Sequence, residues 1–231
     1  MKTIGLIGGM SWESSIEYYR IINETVRDKL GGLHSARSVM VSVDFAEIEA
    51  LQHEGRWDET ARMLIAAAQN VERGGGDFVV LCTNTMHKVA EEVQEHIHIP
   101  LLHIADATAE RVKSQGLKKL GLLGTKFTME EAFYKDRLIE AHGLEVVIPA
   151  EPEREVVHRV IYDELCLGEI EAASQAAYIR IMDHLAEEGA EGIVLGCTEI
   201  SLLVGQEDSA VPLFDTTEIH AQAAVEYALE S

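Results

Sequence analysis

Ile193-Val194-Leu195-Gly196-Cys197-Thr198-Glu199 is an apolar run of strand length that stops at a glycine and a thiol. The same shape occurs 114 residues earlier, as Val79-Val80-Leu81-Cys82-Thr83-Asn84-Thr85. Short uninterrupted apolar runs bounded by small polar residues read as strands buried on both faces, the kind found in parallel sheets. Two such runs with matching ends point to an internal duplication, and the surrounding sequence supports it. Leu120-Gly121-Leu122-Leu123-Gly124-Thr125 echoes Ile4-Gly5-Leu6-Ile7-Gly8-Gly9. Phe133-Tyr134-Lys135-Asp136-Arg137-Leu138 echoes Tyr18-Tyr19-Arg20-Ile21, and Val211-Pro212-Leu213-Phe214-Asp215 echoes Ile99-Pro100-Leu101-Leu102-His103. Gly8 and Thr83 are 75 positions apart, and Gly124 and Cys197 are 73 apart.

Between the strands the periodicity turns helical. Helices are expected over about 14–30, 60–73, 86–96 and 217–229, with a further strand over 39–45. Strand-helix alternation implies right-handed crossovers and parallel sheets. The fold class is therefore α/β: two similar Rossmann-like lobes with parallel sheets, related by pseudo-two-fold symmetry. The expected lobes are 1–99 plus 213–231 and 100–212, with the C-terminal helix returning to the first. In open parallel sheets ligands lie beyond the carboxyl ends of the strands, so the active site is expected in the cleft between the lobes.

Composition narrows the function classes. The 231 residues carry 40 acidic against 19 basic side chains, a formal net charge of -21. Such a surface repels phosphate backbones and anionic lipids, so neither a nucleic acid nor a membrane is an expected partner. The opening Met1-Lys2-Thr3-Ile4-Gly5-Leu6-Ile7 has no signal-peptide layout, and no apolar stretch reaches membrane-span length. A cytoplasmic location is expected. Three cysteines, Cys82, Cys166 and Cys197, form neither a disulfide framework nor a metal clip. The ten histidines show no metal-binding spacing, so the expected metal content is none.

The chemistry is expected at the strand ends. A cysteine at a helix N-terminus, near free backbone N–H groups, can have its pKa lowered from about 8.5 toward roughly 3.5–7.5. Cys197 is read in that way, as a thiolate. Gly196 would leave room for a ligand, Thr198 and Glu199 can bond a polar substrate group, and Glu199 can alternatively cap a helix. Aligning the two motifs sets Thr83 opposite Cys197 and Cys82 opposite Gly196. Adjacent strand-end residues point in different directions, so Thr83, with Asn84 and Thr85, is expected to project into the cleft. A bulge would give the place to Cys82, which otherwise reads as a buried structural thiol. Cys166 reads as a small apolar residue. Two proton carriers flanking one carbon suggest stereoinversion.

Several positions carry a softer signal. Gly8-Gly9-Met10-Ser11 lacks a full dinucleotide-binding spacing. It reads either as a carboxylate-holding turn or as a tight strand-to-helix turn, and Thr125 is its echo in the second half. Gln52 could reach the cleft, although its sequence context favours an exposed helix position. His87, four residues past Thr83, can orient the site or cap a turn.

Taken together, Cys82-Thr83-Asn84-Thr85-Met86-His87 and Gly196-Cys197-Thr198-Glu199, with Gly8-Gly9-Met10, resemble the aspartate/glutamate racemase family over nearly the whole chain. Ser11-Trp12-Glu13-Ser14 and Leu33-His34-Ser35-Ala36 are similar to its broad-specificity or L-aspartate/glutamate-specific branch. The resemblance implies a two-base amino-acid racemase that needs no pyridoxal phosphate or other cofactor, commonly a homodimer. It implies that Cys197 works on the L-enantiomer and that Met10, Gln52, Thr83, Asn84, Thr85, Thr198 and Glu199 contact the substrate. The family's first motif normally begins Cys-Asn-Thr, whereas this chain reads Thr83-Asn84-Thr85. One of the two thiols is thus replaced by a hydroxyl, which favours an L-selective enzyme.

Three other readings fit less well. A hydantoin racemase or maleate isomerase would use similar strand-end cysteines. A nucleotide-binding dehydrogenase needs an acidic residue roughly twenty positions past its glycines, and Asp44 lies 36 past Gly8. A non-catalytic small-molecule binder has no need of Cys197.

Overall fold

The computed structural model describes residues 1–230. The first unit comprises Met1–Ile104 and the C-terminal segment from His220, and the second comprises Ala105–Ile219.

In the first unit the order is β1 (Ile4–Gly8), α1 (Trp12–Leu30), β2 (Ser38–Ser42), α2 (Phe45–His53), α3 (Trp57–Arg73), β3 (Phe78–Leu81), α4 (Ala90–Glu95) and β4 (Leu101–Leu102). A 3-10 segment, Thr85–Val89, precedes α4. The expected helix over 86–96 is therefore a tight 3-10 turn followed by a short α-helix. The chain continues through α5 (Ile104–Ser114), β5 (Lys119–Gly124), α6 (Lys126–Glu130), α7 (Ala132–Asp136), β6 (Glu145–Val147), α8 (Glu151–Asp163), α9 (Ala172–Glu187), β7 (Gly192–Gly196), β8 (Leu213–Asp215) and α10 (Thr216–Leu229).

All the described strand pairs are parallel, in two four-stranded sheets ordered β2-β1-β3-β4 and β6-β5-β7-β8. The two sheets share a register as well as an order. Ile7 pairs with Leu81 in the first, as Leu123 pairs with Leu195 in the second. Val79 pairs with Leu101, as Ile193 pairs with Leu213. Even the proline carbonyls match: Pro100 accepts from the Val79 N–H at 2.8 Å and Pro212 from the Ile193 N–H at 2.9 Å. This register makes Thr83 and Cys197 equivalent positions, each two residues past a matched leucine.

Pairing also sets where the chain passes from one unit to the other. Leu101–Leu102 adds to the first sheet and Leu213–Asp215 to the second. The division into units falls after Ile104 and after Ile219.

The central strands β1, β3 and β7 are buried throughout, as expected for strands covered on both faces. In the first unit, alternate residues feed two cores. Val79 and Leu81 face Leu64, Ala68 and Val71 of α3. Phe78, Val80 and Cys82 pack with Tyr18, Ile22 and Val26 of α1 and with Ala221, Ala224, Val225 and Ala228 of α10. No described helix is long and apolar enough to cross a membrane.

Candidate functional site

In the first unit, β1 ends in a turn whose glycines are demanded by close approach. Gly9 has φ +93°, and a Cβ there would stand 2.2 Å from the Val43 carbonyl oxygen. A Cβ on Gly8 would meet the Ser15 hydroxyl at 2.5 Å. The Gly9 N–H donates to Ser15 Oγ at 2.8 Å, and that hydroxyl donates onward to the Ser11 carbonyl at 3.0 Å. Ser11 caps α1 by accepting from the Ser14 N–H. The glycine pair thus makes a tight strand-to-helix turn whose Gly9 N–H is already committed. Met10, next in the chain, is buried in the same core as Met86.

Beyond β3, residues Thr83, Asn84 and Thr85 are all buried, at 8%, 3% and 7% exposure. Gln52 on α2 joins them: it is 4% exposed and its Nε2 lies 3.6 Å from Met86 Sδ. The exposed-helix alternative for Gln52 is therefore overturned, because α2 packs its Ile48 and Gln52 side inward. His87 is held between the Thr83 carbonyl and the Ile104 N–H. Cys82 is fully buried in the apolar core, its thiol pushed up by burial, with a 3.9 Å contact to the Val80 carbonyl. That environment matches the structural-thiol reading of Cys82.

In the second unit, Cys197 sits immediately after β7 at 9% exposure. Its thiol donates to Glu199 Oε2 at 3.1 Å, and the Thr198 hydroxyl donates to the same oxygen at 2.6 Å. Glu199 is thus brought directly to the thiol, and Thr198 reaches it through the shared carboxylate oxygen. Thr125 lies at the end of the neighbouring strand, capping α6 through its hydroxyl.

Two expectations about Cys197 need correction. The first is its ionisation: burial and then the Glu199 carboxylate hold the thiol well above its ordinary pKa. The resting group is a neutral thiol. The expected helix N-terminus is missing because the chain after Glu199 makes only a three-residue 3-10 turn, Ile200–Leu202, too short to sum peptide dipoles. The second concerns Gly196. A Cβ there would lie 2.8 Å from the Leu123 carbonyl oxygen and 3.1 Å from the Thr128 methyl. The glycine admits the neighbouring strand and α6, and the space is not left for a ligand.

The sequence reading missed three contributors. Met86 lies against Gln52, while His103 and His220 lie against His87. The repeat carried a signal for one of them, since His103 is the counterpart of Asp215. Among the described residues, no group of three or more His, Cys, Asp or Glu is placed to hold a metal ion.

Comparison with known proteins adds identity to this geometry. The model of the family described as Asp/Glu/hydantoin racemase matches residues 7–224. A solved structure of a candidate Asp/Glu racemase from Yersinia pestis is 55% identical over all of both chains, with a TM-score of 0.94. An aspartate racemase homologue from Pyrococcus horikoshii OT3 is 38% identical over all of both chains, with a TM-score of 0.86. The broad specificity amino-acid racemase RacX of Bacillus subtilis is 28% identical over 170 residues, covering 73% of this chain and 72% of its own.

Proposed function

Because the chain belongs to the Asp/Glu/hydantoin racemase family, we propose that it inverts the α-carbon of L-aspartate or L-glutamate by a two-base mechanism. In this reading Cys197 removes the α-proton and Thr83 serves the opposite face. The supporting observation is the shared register of the two sheets, which gives Cys197 and Thr83 equivalent places past β7 and β3. The reaction requires both strand-end groups to address one α-carbon.

The neutral resting thiol defines what the site must do before it reacts. Cys197 passes its proton to the Glu199 carboxylate along the existing 3.1 Å contact. Burial and the Glu199 carboxylate outweigh the backbone hydrogen bond that favours the thiolate at rest, so the positive charge needed for ionisation comes from the substrate's ammonium group. An opposite charge within about 4–6 Å favours the ionised form of a titrating group. Binding thereby makes the base.

The thiolate then takes the Cα proton and leaves a carbanion conjugated with the substrate carboxylate. The Thr83 hydroxyl donates a proton to the other face, its alkoxide takes a proton from water, and the proton held by Glu199 neutralises the hydroxide so formed, which restores both the hydroxyl and the carboxylate. A hydroxyl is a weak base near neutrality, so abstraction from the D-enantiomer is the slower half of the exchange chemistry. Equal free energies of the enantiomers still oblige kcat/KM for net racemisation to be the same in both directions, so the asymmetry appears in kcat, KM and α-proton exchange. Met10, Gln52, Asn84, Thr85 and Thr198 complete the substrate contacts, and Gly8, Gly9 and Thr125 support the turns that carry them. We place the protein in the cytoplasm, as a homodimer.

The test is incubation with L- and D-amino acids in deuterated buffer, following the Cα signal by NMR. Deuterium should enter L-aspartate or L-glutamate fastest. Exchange confined to hydantoins, or none in any amino acid, would contradict the proposal.

A further inference from the structure

A buried group of histidines lies behind Thr83, built from five parts of the first unit. His87 stands in the 3-10 segment after β3, His103 follows β4, Ile104 opens α5, His220 lies on α10 and Tyr18 on α1. The three imidazoles are 2%, 7% and 0% exposed. The His87 ring centroid is 4.5 Å from that of His103 and 5.8 Å from that of His220. His220 is itself pinned, with Nδ1 2.9 Å from the Tyr18 hydroxyl and Nε2 2.9 Å from the Leu102 carbonyl.

The contacts of His87 decide its tautomer. Nδ1 lies 2.8 Å from the Thr83 carbonyl oxygen, which can only accept. The Ile104 backbone N–H, which can only donate, points at Nε2 from 3.2 Å. Only a neutral ring with its proton on Nδ1 satisfies both. A proton on Nε2 would set one donor against another. Burial, reinforced by His103 and His220, disfavours the charged ring.

We infer that His87, as the Nδ1–H tautomer, is a positioning residue that clamps the Thr83 backbone to Ile104, where the first segment of the first unit ends. This rests on the proposed role of Thr83. His87 does not touch the substrate; it fixes the peptide from which the Thr83 hydroxyl projects, and packing against His103 and His220 fixes the ring. A displacement of about 1 Å at a reacting group can cost on the order of a hundredfold in rate, so a clamp of this kind acts on turnover as well as on folding.

Two substitutions separate the halves of the clamp. The amide of His87→Asn can reproduce the Nδ1 donor to Thr83 but is too short to reach Ile104. The carbonyl of His87→Gln can accept from Ile104 but leaves Thr83 without its donor. For each variant we would compare racemisation of L-aspartate or L-glutamate with α-deuteration that retains the L-configuration. Retention uses Cys197 alone, whereas inversion also needs Thr83. Because the clamp needs both bonds, the ratio of retention to inversion should rise at least tenfold in His87→Gln and more than threefold in His87→Asn. A common fall in both rates, with the ratio unchanged, would mean a purely structural role and would overturn the inference.

The wild-type protein supplies a second readout that needs no turnover. Imidazole 15N NMR should show His87 protonated on Nδ1 and bare on Nε2. The Ile104 amide should be protected from hydrogen exchange in wild type and in His87→Gln, and lose protection in His87→Asn. A proton on Nε2, or an unprotected wild-type Ile104 amide, would refute the clamp. Absence of exchange in wild-type enzyme would instead strike the functional reading, and these two measurements would still decide the anchoring.

Discussion

The Cys197 thiol donates to a carboxylate two residues away in its own chain, Glu199 Oε2, at 3.1 Å. The same carboxylate disfavours the thiolate and stands ready to take its proton. Exchanging the carboxylate for a neutral amide separates those roles. In Glu199→Gln the thiol loses a neighbouring negative charge, so its pKa should fall. Alkylation of Cys197, followed by peptide mass, should then reach half-maximal rate at lower pH than in wild type. Racemisation should nevertheless slow by about 10²–10⁴-fold, the usual worth of a positioned proton-transfer group. A variant that both alkylates and racemises faster would show that Glu199 only inhibits ionisation.

Gln52 is buried beside Met86, and it is the buried polar side chain of α2. Gln52→Leu preserves bulk while removing the amide. Its KM for the L-amino acid should rise about tenfold, consistent with the loss of one hydrogen bond to a charged group at about 1.5–3 kcal/mol, and kcat should move less. Steady-state kinetics decide this. A fall in kcat at constant KM would take Gln52 out of substrate binding.

Much of this was legible in the chain before its structure. Matching strand ends, glycines and prolines were enough to identify two parallel sheets, because a buried strand needs an uninterrupted apolar run and a stop. The echo of Ile99-Pro100-Leu101 in Val211-Pro212-Leu213 even carried the sheet register. What escaped depended on groups remote in sequence or on local geometry too fine for a pattern. Burial of Gln52 follows from the side on which α2 packs, and a nine-residue helix carries too weak an amphipathic signal to show it. The neutral state of Cys197 follows from its burial and then from the Glu199 carboxylate beside it, and the short turn that follows supplies no helix to oppose them. Gly196 looked like an opening, but the neighbouring strand fills it.

Cys82 tests whether the register is right. Its side chain packs with Ile4, Leu6, Tyr18 and Val80, away from water. Cys82→Ala should leave α-proton exchange within twofold of wild type. It should cost about 1 kcal/mol of stability, as for deletion of one buried methyl-sized group, read as a lower Tm. Loss of exchange with an unchanged Tm would move the first-unit proton carrier from Thr83 to Cys82.

The histidine group makes stability sensitive to acid. Burial lowers the His220 pKa to about 4 and holds His87 well below its ordinary 6.5, with Tyr18 and His103 the titratable neighbours in contact. Both rings take up protons on unfolding below pH about 6.5, so their contribution is present above that pH and is lost as pH falls toward 4. At about 1.4 kcal/mol for each unit of displacement, His220 alone accounts for about 3 kcal/mol across that window. Tm should therefore fall more steeply from pH 6.5 to 4 in wild type than in His220→Asn. Parallel curves would contradict this assignment.

The central claim, that Cys197 takes the α-proton of an L-amino acid, is tested most directly by comparing wild type with Cys197→Ala in deuterated buffer. Deuterium incorporation at Cα of L-aspartate and L-glutamate would be followed by NMR, and circular dichroism would establish that the variant is folded. The account requires rapid incorporation by wild type and none above background in the folded variant. Incorporation that persists without the thiol would contradict it.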